Sequence, residues 1–96
     1  MNTKFKNSFL ILRKLHELTG GIAERHLIDM FEVGKELSMT ELATLDTVIY
    51  LEREHLVNWT GLGGVVSLTQ QGIEEIEGAM AGQRMAYFPL GIADAV

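Results

Sequence analysis

The groups in this 96-residue chain that could do chemistry are three histidines, three scattered serines, a cluster of glutamates and a glycine run. His16, His26 and His55 lack the close spacing of metal ligands, although His26 and Asp29 are spaced to share a helix face. A zinc site would need at least two histidines and an acid, so surface or capping roles are expected of them. Ser8, Ser38 and Ser67 lack the strained Gly-x-Ser-x-Gly turn that exposes an activated hydroxyl. Glu74, Glu75 and Glu77 open an apolar-periodic segment, where acids complement a helix dipole, and read as a solvated face. The run Gly61-Leu62-Gly63-Gly64 superficially suits phosphate. Phosphate loops, however, lead into a helix N-terminus and a lysine, whereas this run leads into the β-rich "VVSLT". A hairpin turn is the expected reading. The chain has no Cys, which excludes disulfides and thiolate zinc sites. No enzyme, metal or small-molecule cofactor is expected.

The charge balance says more. A composition of 47% hydrophobic and 22% charged residues describes one globular domain with a single core. The apolar run "FLIL" at residues 9–12 is too short for a signal-peptide core or a membrane span, so a cytoplasmic protein without a membrane partner is expected. The net charge of −5 is unevenly spread. Residues 1–35 carry six Lys and Arg against four acids (+2), and residues 36–96 carry two against nine (−7). Residues 56–82 contain no Lys or Arg at all. Such asymmetry bears on partners rather than on fold.

These groups are carried by a recognisable succession of elements. In "KFKNSFLILRKLHELTGG", Phe5, Phe9, Leu12, Leu15 and Leu18 mark one face of an amphipathic helix that Gly20 and Gly21 end. Ile28, Phe31 and Leu37, with Val33 beside them, predict a second helix from about Leu27 to Leu37. A third runs to about Glu54, capped by Ser38 or Thr40, with Glu41 placed for a capping box on Ser38. The short break between these two has helix-turn-helix spacing. "LVNWT" and "VVSLT" flank the glycine run as a hairpin, and Thr69 caps a last helix with Ile73, Ile76 and Met80 inward. The expected fold is therefore mainly α with a small β-hairpin (α+β). The tail at residues 82–96 is rich in large apolar groups, among them Tyr87, Phe88 and Leu90. It either packs on the domain at residues 1–81 or on a partner chain, or links to a further segment.

"YLEREHLV" followed by "GGVVSLTQQGIEEIE", ending in Leu68-Thr69-x-x-Gly72, resembles the winged helix-turn-helix superfamily over about residues 5–80. It looks like a group of small bacterial winged helix proteins of uncharacterised function, in some of which an aromatic-Pro segment like "YFPLG" follows the domain. The resemblance implies the order helix, helix, helix, strand, wing, strand, helix. In DNA-binding members the third helix enters the major groove and the wing touches the backbone or minor groove. Those roles would fall on Thr40, Glu41, Ala43, Asp46 and Tyr50, with Thr60 to Gly64 at the wing tip. This chain departs from that pattern. Residues 39–52 offer no Arg, Lys, Asn or Gln and carry Glu41, Asp46 and Glu52, and acids facing a polyanion repel it.

At about 100° per residue, Thr44, Thr47, Val48 and Leu51 share one side of the third helix, which the superfamily register makes the core. Leu42, Leu45 and Ile49 lie on the other flank. Either the register is shifted and these three are core, or they meet the second helix, or they form an exposed strip suited to a protein partner or a second copy of the chain. The reading favoured is a regulatory winged helix working mainly through protein contacts at Leu42, Leu45, Ile49, Tyr87, Phe88 and Leu90. The alternative is a homodimeric DNA-binding regulator using residues 40–54 and the wing at 60–64, with Thr40, Ala43, Tyr50, Thr60 and Gly63 in contact. A weaker third idea is an acidic decoy for a basic nucleic-acid site.

Overall fold

The first apolar stripe folds as α1 (Thr3–Thr19). Asn2 starts it by accepting the Lys4 N–H at 2.8 Å, and Gly20 ends it in the left-handed conformation (φ 67°). The buried face holds Ser8, Phe9, Ile11, Leu12, Leu15 and Thr19. Leu18, expected on that face, is exposed. The face is centred on the line of Ser8, Leu12 and Thr19, and Leu18 lies about 100° away from it. Thr19 satisfies its hydroxyl by donating to the Leu15 carbonyl at 2.8 Å. In this computed structural model, residues 2–24, 26–61 and 63–96 are described. Arg25, counted in the charge balance, and Leu62 of the glycine run lie outside them.

The second helix begins later than its periodicity predicts. Ile28 and Asp29 form β1 (Ile28–Asp29), pairing antiparallel with Val66 and Val65. Asp29 then caps α2 (Met30–Glu36) by accepting the Phe31 N–H at 2.9 Å. His26 and Asp29 therefore do not share a helix face. After the turn, α3 (Glu41–Arg53) is capped by Thr40, which accepts the Ala43 N–H at 3.0 Å. Ser38 instead takes a positive φ of 59° in the turn, so the capping box with Glu41 does not form.

β2 (Val57–Trp59) and β3 (Val65–Leu68) pair in the register Val57 with Leu68 and Trp59 with Val66. The sheet has three strands in the order β1-β3-β2 rather than the expected two-stranded hairpin. Thr69 accepts the Gly72 N–H at 2.9 Å and so starts α4 (Gln70–Met80). Gly72 is required where it stands, because a Cβ there would collide with the Leu56 carbonyl. The fold is α+β, mainly helical with a small antiparallel sheet, and is compatible with a winged helix. Among the described residues no helix is long and apolar enough to cross a membrane.

The apolar tail adds to the same core. Met85 packs on Gly78 of α4, and a short α5 (Ile92–Ala95), not expected from the sequence, buries Ile92. Phe88 is 2% exposed and meets Phe9 edge-on, with ring centroids 5.8 Å apart at 89°. Met80, expected on the inner face of α4, is the last residue of the helix and is exposed.

Removing the Phe88 ring should therefore cost the whole domain. Phe88→Ala is expected to lose about 3–5 kcal/mol in urea unfolding, whereas exposed Leu90→Ala should stay within about 0.5 kcal/mol of the parent. Equal midpoints for the two variants would show that the tail is not part of the folding unit.

Candidate functional site

Helix α3 presents two chemically different faces. Inward are Thr44, Thr47, Val48 and Leu51, all buried. The two threonines can lie there because each hydroxyl donates back along the helix, Thr44 to the Thr40 carbonyl and Thr47 to the Ala43 carbonyl, both at 2.8 Å. Thr44 also abuts Gly34 of α2 so closely that any side chain at 34 would strike it. That contact sets the distance between the two helices of the turn.

Outward, Leu42 is 67% exposed and Ile49 37%, while Leu45 is half-buried against the core. The alternative in which these three residues are simply core therefore fails for Leu42 and Ile49. Glu41, Asp46, Glu52 and Arg53 are exposed beside them.

A groove of about 550 Å³ opens between the first turns of α1 and the outer face of α3. Lys4 and Asn7 line it from α1, and Ala43, Asp46, Ile49, Tyr50 and Arg53 line it from α3. The Lys4 ammonium stands 3.8 Å from the Tyr50 ring centroid, a cation–π contact that holds the lysine over α3. Among the described residues, neither Lys4 nor Arg53 has a carboxylate within ion-pair distance; the pairs formed use Lys14, His16 and Lys35. Reading α3 alone missed this arrangement. Arg53 stands just beyond residues 39–52, which lack base-reading groups, and nothing local in the sequence says that Lys4 and Asn7 face α3.

The remaining residues singled out in the sequence are dispersed. Thr40 is an exposed cap, while Ala43 and Tyr50 are half-buried in the groove wall. Thr60 and Gly63 sit at the hairpin tip, where the Trp59 indole N–H donates to the Gly63 carbonyl at 2.9 Å. Leu90 is 60% exposed. Phe88 is withdrawn from the surface by its contact with Phe9, so it offers nothing to a partner in this conformation. Tyr87 donates its hydroxyl to Glu54 at 3.0 Å, and its backbone N–H to Glu75 at 2.9 Å.

The three histidines are separated. His16 pairs with Glu77 at 2.9 Å, tying α1 to α4, whereas His26 and His55 are exposed. Among the described residues no group of three or more His, Asp or Glu side chains could hold a metal ion.

Both tyrosine hydroxyls are held above their ordinary value near 10: Tyr87 first by the hydrogen bond to Glu54 and then by burial, Tyr50 first by burial and then by the charge of Glu54. A raised folded-state value means that the neutral tyrosines favour the fold below the ordinary value. That contribution is lost as pH rises through the folded-state values. Phenolate absorbance should show both tyrosines ionising late, with Glu54→Gln moving Tyr87 back toward the ordinary value. An unchanged Tyr87 titration in that variant would contradict the hydrogen bond.

The two faces of α3 also separate in stability. Leu51→Ala should cost about 2–5 kcal/mol and Leu42→Ala about 0.5 kcal/mol or less, both by urea unfolding. Similar losses at the two positions would place Leu42 in the core. Comparison with known proteins found no matching family model, no similar curated protein and no similar solved structure, so the reading of this face rests on its own chemistry.

Proposed function

We propose that this chain is a small winged helix regulatory protein that acts mainly through protein–protein contacts, as an adaptor or antagonist. The observation that carries the reading is the outward line of α3, where Leu42 and Ile49 are exposed at the place a DNA-reading helix carries polar groups. Large apolar groups clustered in water favour a partner that buries them, at about 25 cal/mol per Å² removed from solvent. The acids Glu41, Asp46 and Glu52 on the same exposed helix face oppose phosphate. The hairpin tip adds no compensating cation, since residues 56–82 contain no Lys or Arg.

The second reading, a homodimeric DNA-binding regulator, draws support from one feature: Lys4 and Arg53 border the α3 face without carboxylate partners. Two cations are few for a surface whose affinity for nucleic acid scales with neutralised phosphates.

One experiment separates the two. Trp59, in the strand leading to the hairpin tip, reports a titration with mixed-sequence duplex DNA at low salt, with gel retention in parallel. The protein reading expects no saturable binding. It further expects that proteins retained from source-cell extract by the parent chain are lost with a folded Leu42→Glu/Ile49→Glu variant. Saturable DNA binding that weakens with salt, with a slope reduced by about two in Lys4→Ala/Arg53→Ala, would replace the first reading with the second.

A further inference from the structure

We infer that the Arg84–Met85 peptide bond is a processing site, cut by an endoprotease selective for a basic residue, and that the cut switches the whole domain off. This holds whatever α3 binds. Three properties meet at the bond: it is accessible, it follows a cation, and the residues beyond it hold the core together.

Accessibility comes from the way α4 ends. The helix closes with the Gly82 N–H on the Ala79 carbonyl at 3.2 Å and the Gln83 N–H on the Gly78 carbonyl at 2.9 Å. Among the described residues, Arg84, Met85 and Ala86 then donate to no backbone carbonyl. Residues 81–84 and Ala86 are all exposed. A protease draws its substrate into an extended strand, and a segment without backbone bonds of its own yields with no helix or sheet to unravel.

The cation singles out this bond. Every other Lys or Arg among the described residues lies in a helix: Lys4, Lys6, Arg13 and Lys14 in α1, Lys35 in α2 and Arg53 in α3. Cutting after any of these requires a helix to open first. Arg84 is exposed and forms no ion pair with a described residue, so its guanidinium can enter the acidic specificity pocket of such a protease.

The consequence follows from what residues 85–96 carry. Met85 lies on Gly78, Tyr87 donates to Glu54 and Glu75, and Phe88 and Ile92 are buried in the common core. Hydrolysis adds one water across the bond, leaving a carboxylate on Arg84 and an ammonium on Met85. No side chain is lost, but residues 81–84 no longer tether the tail to α4. A short tether holds its two ends at an effective concentration of about millimolar, so at micromolar protein the cut lowers the drive for docking about a thousandfold. Once Phe88 leaves, the Phe9 ring loses its edge-on partner and the core is opened to water.

The test digests the whole folded chain briefly with trypsin, stops the digestion and identifies the fragments by mass. The first products should be residues 1–84 and 85–96. Melted without separation, the nicked chain should have a midpoint about 15 °C or more below that of the intact chain. That midpoint should rise with protein concentration, because refolding then needs two pieces to meet. Arg84→Gln changes only an exposed side chain, so it should melt with the parent and outlast it under trypsin.

A first cut elsewhere, or Arg84→Gln degraded as fast as the parent, would show that this bond is not a preferred site. A nicked chain that melts like the intact one would show that the cut switches nothing off. Either result overturns the inference.

Discussion

Burial of one face of α1 is the constraint on which the rest of the molecule depends. Phe9, Leu12 and Leu15 have no exposed surface, and α1 packs against α2, α3, α4, α5 and β3 in turn. Each such side chain contributes about 1.5–3 kcal/mol on leaving water. The other elements are too small to hold themselves: β1 has 2 residues, α2 has 7 and α5 has 4. Short helices and isolated hairpins are marginal in water, so their stability comes from packing. The same anchoring brings the start of α1 alongside α3. Lys4 reaches Tyr50 because Phe9 and Leu12, one to two turns on, are fixed in the core.

Helix α3 shows how a polar sequence can be buried while an apolar one is exposed. Its core face includes two threonines, and its solvent face includes a leucine and an isoleucine. The threonines fit because their hydroxyls are satisfied within the helix, and because Thr44 matches the absent side chain of Gly34. The exposed leucine and isoleucine have no such local reason.

The tail links parts that are distant in sequence. Tyr87 hydrogen-bonds Glu54 at the end of α3 and Glu75 within α4, while Phe88 and Ile92 enter the core and Met85 covers Gly78. Glu75, nearly buried, is stabilised there by the backbone N–H of Tyr87. A carboxylate on α4 that looks like one more member of an acidic run is therefore a fastening point for the tail.

The amino-acid sequence by itself determined what local periodicity, capping and turn chemistry control: the existence of α1, α3 and α4 and the glycine turn between β2 and β3. Those features depend on neighbours within a few residues, and repeats of three to four or of two declare them. The strand at Ile28–Asp29 was not legible, because two residues carry no period and become a strand only when Val65 and Val66 lie beside them. The roles of Phe88 and Ile92 were open for a similar reason: their apolar character says that they seek burial, but not against what.

The candidate site divides along the same line. Leu42, Leu45 and Ile49 are visible in the helical spacing, since one helix carries all three. Lys4, Asn7 and Arg53 join them only in three dimensions. Phe9 and Leu12 of α1 and Val48 and Leu51 of α3 are buried in one common core, and long-range burial of that kind leaves no mark at the positions whose surroundings it decides.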